Sequence, residues 1–292
     1  MTVKGNGLGR MRLMWYLSLV FVVLTVLLRV WILPANRDWD TGLFTSSVLT
    51  VGFMLLCIAV QLVLSCTLPK QRQEISGRSG LPLAFTLLLA GAVLGVVGVL
   101  GLIESLTTRT ASVTASKVLA VLQLLEAVFA VLGGASLVRM GLVLISEGST
   151  RQGMAQWSAL APVLWMWFRL AAYEASFAGT VRMSDSFFHF VMFILELVFL
   201  FKLARYTAGV GQANIRSLMF WSTSTVLFAL STPLVRVCMY LLQDSEAYLA
   251  GQQVGVADAA VGVLALAVCF SLWHSAAQSE QESSGDEESI AE

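Results

Sequence analysis

Eight stretches of this chain are apolar for about the thickness of a bilayer, and that length limits what they can fold into. They are Met11–Leu33, Leu43–Leu68, Pro82–Ile103, Val118–Ile145, Trp157–Ala178, Ser184–Tyr206, Ile215–Leu242 and Val254–Trp273. A hydrocarbon core needs about 20 such residues to cross as a helix. Inside it no water is available to pair backbone N–H and C=O groups, so a spanning segment must satisfy them internally. Segments of this length predict helices. The expected fold is an all-α integral membrane protein: a polytopic helical bundle of about eight transmembrane helices, joined by short loops. The last stretch contains Asp258 and several small residues; if it is re-entrant, seven spans remain.

Composition agrees. The chain is 57% hydrophobic and 12% charged, about half the charged share usual in a soluble domain. Residues 1–274 read as one polytopic domain. Residues 275–292, rich in Ser and Glu, read as a disordered acidic tail. The basic stretch before Met11 resembles the start of a secretory signal. The apolar run behind it is too long for one, and no small-residue cleavage site follows, so the run is expected to stay as the first span.

The Lys and Arg bias of short loops predicts orientation. With the N-terminus inside, Lys4, Arg10, Arg12, Lys70, Arg72, Arg78, Arg139, Arg151, Lys202, Arg205 and Arg216 are cytoplasmic, against Arg37, Arg109, Lys117 and Arg182 outside. Both termini are then cytoplasmic, and the membrane is expected to be a bacterial plasma (inner) membrane. Trp15, Trp157, Trp221 and Trp273 fall at one predicted interface and Trp31 and Trp39 at the other, as an aromatic belt requires. Trp165 and Trp167 lie deeper, and the belt does not account for them.

Functional expectation rests on polar residues inside the spans. On the seventh, Ser222, Thr225, Thr232, Arg236, Tyr240 and Gln243 lie within about 40° of one helical line. Such a stripe faces protein, water or a ligand, not lipid. Pro233 interrupts the backbone bonding beside Arg236. Ser231 and Thr232 are placed to satisfy the carbonyl it frees. The fifth span aligns Trp165, Arg169 and Tyr173; the sixth aligns His189, Phe193 and Glu196. Arg169 and Glu196 fall at similar depth in antiparallel spans and are the expected buried ion pair. Arg29, Glu174 and Asp258 lie near span ends, where snorkelling to the interface is enough to explain them. Glu126 and Asp258 each precede small residues in the fourth and eighth spans, a pattern that a parallel repeat would produce.

These residues predict a polar cavity in the outer half of the bilayer. Arg169 and Arg236 suit the two oxygens of a carboxylate or phosphate. Tyr173, Thr225, Thr232 and His189 would orient the solute, and Glu196 and Glu126 would couple protons. The leading expectation is a secondary transporter or binder of a small, anionic solute. The alternative is a sensory or scaffold subunit acting through a partner membrane protein. An intramembrane lipid enzyme is the third reading. Gly91, Gly95, Gly98 and Gly101 in the third span suit close helix packing, either internal or in a homodimer.

Other classes lack their signatures. The zero formal net charge gives no electrostatic basis for nucleic-acid binding. Cys57, Cys66, Cys238 and Cys269 lie in apolar segments without CxxC spacing and read as packing residues. No HExxH, GxSxG or phosphate-loop pattern occurs. No catalytic, metal or cofactor residues are therefore assigned.

Overall fold

The computed structural model describes residues 3–35, 48–68, 80–108, 117–147, 158–176, 184–209, 214–243 and 255–291. They form eight α-helices: α1 Val3–Ala35, α2 Val48–Cys66, α3 Leu81–Thr108, α4 Lys117–Glu147, α5 Ala161–Ser176, α6 Ser184–Thr207, α7 Ile215–Gln243 and α8 Val256–Ala291. A single 3₁₀ turn, Ser158–Leu160, leads into α5. No strand occurs among the described residues.

Six helices are long and apolar enough to cross a membrane: α1, α2, α3, α4, α7 and α8. Their apolar side chains cover the outside as well as the inside: Leu27, Leu55, Leu100 and Val118 are all exposed. That is the surface of a bundle solvated by lipid tails. α5 and α6 occupy the fifth and sixth expected segments. However, α5 has 16 residues, about 24 Å at 1.5 Å each, and α6 carries Glu196, Lys202 and Arg205. α8 runs unbroken along the bundle. It continues as helix through the Ser- and Glu-rich stretch to Ala291, where Glu, Gln and Ala favour helix and no proline interrupts.

α7 and α8 form the middle of the bundle. Their apolar windows are 61% and 67% buried, against 28% for α2. α7 packs on α1, α2, α6 and α8, while α8 also meets α3. Contacting helices run antiparallel, except α1 and α7, which lie side by side in the same direction. Ser136 of α4 faces Ser158 before α5, while Phe129 stacks on Phe168 two turns further on. Gly262 of α8 lies against Leu230 and Ala229 of α7. At one end, Arg10 Nη1 donates to the Thr67 carbonyl (3.0 Å) and Arg216 Nε to that of Ser65 (2.7 Å). The Ser65 carbonyl also accepts from Leu68 N at 3.0 Å, and Thr67 lies just past the end of α2, so the two arginines tie α1 and α7 to the close of that helix. Trp15 and Trp273 lie 6.2 Å apart at that same end. The other end, where α1, α5 and α7 finish and α4, α6 and α8 begin, holds the charged residues.

α3 and α4 make the most extensive pairing, and glycine is the reason. A Cβ on Gly134 would lie 2.6 Å from the Gly91 carbonyl oxygen and 2.7 Å from the Gly95 nitrogen. One on Gly98 would lie 2.7 Å from the Val131 nitrogen. The backbones touch where side chains normally separate them, which is how helices gain dispersion energy in lipid. The glycine stripe of the third span is thus used within the chain. Gly134→Leu should lower the unfolding midpoint in detergent, with a loss of at least ~1–3 kcal/mol from overpacking. The same substitution at Gly95, where an added Cβ meets nothing within 4 Å, should cost far less.

Candidate functional site

Close contacts with α4 fix α5. Ser136 Oγ donates to the Ser158 carbonyl at 2.5 Å. A Cβ on Gly133 would lie 3.1 Å from Pro162 Cα, so the two helices nearly touch there. Pro162 is in the first turn of α5, where its missing N–H leaves no bond unmade. Two turns on, Arg169 points into the bundle. Its guanidinium makes a two-pronged pair with Asp258 of α8: Nη1 meets Oδ1, and Nη2 donates to Oδ2 at 3.0 Å. Nε lies 3.8 Å from Glu126 Oε1 of α4. The planar group also lies over the Phe193 ring at 4.6 Å and the Trp165 ring at 5.3 Å, an arrangement that stabilises a desolvated cation.

Two expectations are corrected here. Asp258 does not snorkel; it is 3% exposed and holds Arg169. Arg169 is therefore paired with Asp258 and not with Glu196. The reason is where α8 starts. Gly255 supplies the first carbonyl of the helix, accepting from Ala259 N at 2.8 Å. The Asp258 carboxylate curls back into the space that a Gly255 side chain would fill. In the first turn it also gains from the positive end of the helix dipole. Depth counted along the chain cannot register a helix that begins inside the bundle.

Glu196, on α6, is fully buried; among the described residues no N–H or hydroxyl donates to its oxygens, and its side chain lies within hydrogen-bonding reach of the Asp258 carboxyl group. Its charged neighbours are Asp258 and Arg169. Beside it, Thr225 Oγ1 donates to the Leu195 carbonyl at 3.1 Å, which docks α6 on α7 at that level. The exposure of the cluster falls inward. The Glu126 side chain is 29% exposed, Arg169 18% and Asp258 4%, with Glu196 beneath them.

A second group of polar residues lies nearer the helix ends. Arg236 of α7 meets His189 Nε2 of α6. A guanidinium can only donate, so in that contact the ring nitrogen is the acceptor. Arg29 of α1 is 4% exposed, its Nη1 3.5 Å from Thr232 Oγ1 and its guanidinium 4.6 Å from the Phe188 ring. Arg29 thus belongs to the interior and is not an end-of-span residue. Tyr173 lies between the two groups, edge-on to Phe193 at 5.1 Å and 6.4 Å from His189.

The structure therefore gathers Arg169, Tyr173, His189, Glu196, Glu126, Thr232 and Arg236 at one end of the bundle. The polar stripe of α7 divides by role. Ser222 bonds the Leu218 carbonyl of its own helix, Thr225 holds α6, and Tyr240 is 46% exposed. Ser231 turns to the Phe228 carbonyl at 3.5 Å, and Thr232 faces Arg29. Trp165 is buried against Arg169, while Trp167 is 56% exposed on the outer surface. Trp39 and Trp157 lie outside the described residues. Arg29 and Asp258 were the partners hardest to find from sequence. Their signal was an uncompensated charge near a span end, which snorkelling explained equally well.

No protein-family model, curated protein or solved structure matches this chain.

The Gly255–Asp258 packing can be tested by a double-mutant cycle. Asp258→Ala should cost ~3–5 kcal/mol, because it strands a buried guanidinium. Gly255→Ala should be strongly destabilising alone, yet add little once Asp258 is Ala. Additive losses in thermal unfolding would show that the Gly255 position does not act through the carboxylate.

Proposed function

We propose that this chain is a multi-pass membrane protein that binds a small solute among α1, α4, α5, α6, α7 and α8, and carries it across the bilayer as a proton-coupled secondary transporter. Glu196 is the observation that supports this most. A carboxyl group buried against a second carboxylate, with no N–H or hydroxyl donor, costs stability in a purely structural role. Ionisable groups held inside a membrane bundle typically serve proton or substrate pathways. Exposure descends from Glu126 through Arg169 to Glu196, and in this reading a solute or proton approaches from the Glu126 side.

In this reading an anionic group of the solute engages Arg236, with Thr232, His189 and Tyr173 orienting it. Arg169 joins only when its pair with Asp258 opens. Glu196, and Glu126 nearer the surface, exchange the coupled proton. Thr225 keeps α6 in register. The bias of the loop charges supports a reading in which this end faces the outer side of an inner membrane, with eight crossings and both termini in the cytoplasm. α5 and α6 make two of those crossings, shielded by neighbouring helices where they are short or charged.

A scaffold or sensor acting through a partner is the competing reading, and thiol accessibility separates the two. Single cysteines would replace Tyr173, Glu196 and Thr232, with Thr225 as the buried control. The background would have its four native cysteines changed to Ala or Ser. Alternating access requires labelling at the first three positions from both membrane faces. Labelling from one face only fits a receptor-like pocket, and none in a folded protein means the charges are structural pairs. In the same background Glu196→Gln should leave the thermal midpoint near wild type and abolish proton movement coupled to the solute.

A further inference from the structure

The contacts of Arg169 define a socket as well as a side chain. Two carboxylates, Glu126 from α4 and Asp258 from α8, touch its guanidinium, and the rings of Trp165 and Phe193 lie against it. Glu196 lies beyond, fully buried, its oxygens reached by no N–H or hydroxyl donor among the described residues and its side chain set against the Asp258 carboxyl group, with Arg169 its other charged neighbour. If every acid were ionised, three carboxylates would face one guanidinium. A low-dielectric interior does not hold such an excess without protons or a further cation. Among the described residues no three acids, thiols or imidazoles are placed to share a metal ion. Acids spread around two aromatic faces suit a flat or bulky organic cation instead.

We infer that Glu126, Asp258 and Glu196, with the faces of Trp165 and Phe193, form a binding site for a small organic cation bearing a guanidinium or ammonium group, and that Arg169 fills the site while it waits. An incoming cation takes the place of the Arg169 guanidinium on Asp258, and Glu196 completes its coordination. Arg169 is free to leave because its side chain is the long, partly exposed member of the cluster (18%), whereas Asp258 is clamped at the head of α8. The released guanidinium keeps Glu126, at the more exposed edge, as its partner. This rests on the solute-binding reading above and names the charge of the solute's inner end. With Arg236 engaging the outer end, the preferred solute would carry both charges.

The test is binding of methylguanidine to the full chain in detergent, followed by titration calorimetry, with acetate as the anionic comparison. Saturable binding of methylguanidine to the wild type is expected. Its affinity should fall about tenfold or more in Glu196→Gln and in Trp165→Leu, the scale of one desolvated charge or cation–π contact. Glu196→Gln is nearly isosteric, so it serves if the tryptophan variant misfolds; monodisperse elution and helical circular dichroism establish folding. Three results would overturn the inference. Methylguanidine binding that is indifferent to Glu196→Gln places its site elsewhere. No binding to the wild type, with thermal rescue of Arg169→Ala by methylguanidine, makes the socket a permanent clasp. Acetate binding without methylguanidine binding leaves an anion binder and removes the cation site. Labelling of the cysteine variants from both faces, with no methylguanidine bound, would sink this inference while leaving transport standing.

Discussion

A guanidinium buried between apolar helices demands carboxylate, and the Arg169–Asp258 pair meets that demand by tying α5 to α8. α5 is short, and its position is set by apolar packing on α4, by the close approach at Gly133 and Ser136, and by this pair. α8 in turn starts inside the bundle with an acid in its first turn, a start that lipid or an empty interior would not tolerate. Two charges that would each be expensive alone become a joint. The geometry is specific because the fork of an arginine accepts a carboxylate in one plane. The rings of Trp165 and Phe193 close the faces of that plane, leaving the edges to the acids. Trp165 is thus deep in its span for a reason the interfacial belt does not supply.

The helical bundle was legible because its cause is local. Long apolar runs in a medium without hydrogen bonds have one backbone solution, and the helices coincide with the expected segments to within a few residues at most ends. The gathering of the polar residues was also legible, since Arg169, Tyr173, His189, Glu196 and Arg236 share faces by helical period alone. Partner choice was not. Antiparallel counting put Arg169 level with Glu196, and they are neighbours, but the carboxylate that Arg169 grips comes from a helix whose starting depth depends on Gly255 and the residues before it. Depth along the bilayer normal is a tertiary property. Thr225 makes the same point: its hydroxyl looked like a ligand contact, yet its partner is a backbone carbonyl of α6.

The two sides of the bundle are built with different tolerances. α3 and α4 meet backbone to backbone at Gly91, Gly98 and Gly134, where any sliding would bring carbonyl oxygens into contact with side chains. α4 then grips α5 through Gly133 and Ser136. This block has little freedom. α7 packs through apolar side chains on α1 and α8, and adds polar contacts to its neighbours: Thr225 to Leu195, Arg29 to Thr232, Arg236 to His189, Ser224 to Gln61 at 3.3 Å. Hydrogen bonds of this kind are worth about 1 kcal/mol or less in a membrane bundle and exchange partners readily.

Pro233 belongs to the second side, and its placement matters more than its presence. It cannot donate to the Ala229 carbonyl, and Ser231 is turned to Phe228 instead. Ala229 is also where α7 meets Gly262 of α8. The backbone bond missing from the otherwise continuous α7 therefore lies at its contact with α8, one turn before Arg236 and one residue after Thr232. A bend there would carry Arg236 and Thr232 relative to Arg29, His189 and the head of α8 while leaving the lower half of α7 packed. Such a bend would alter the distance between the two arginines of the outer group and the carboxylates of the inner one. The α3–α4–α5 block would supply the fixed reference against which that distance changes. A solute touching both groups would be the one species whose binding energy differs between the straight and bent forms, and only such a difference can drive a conformational cycle.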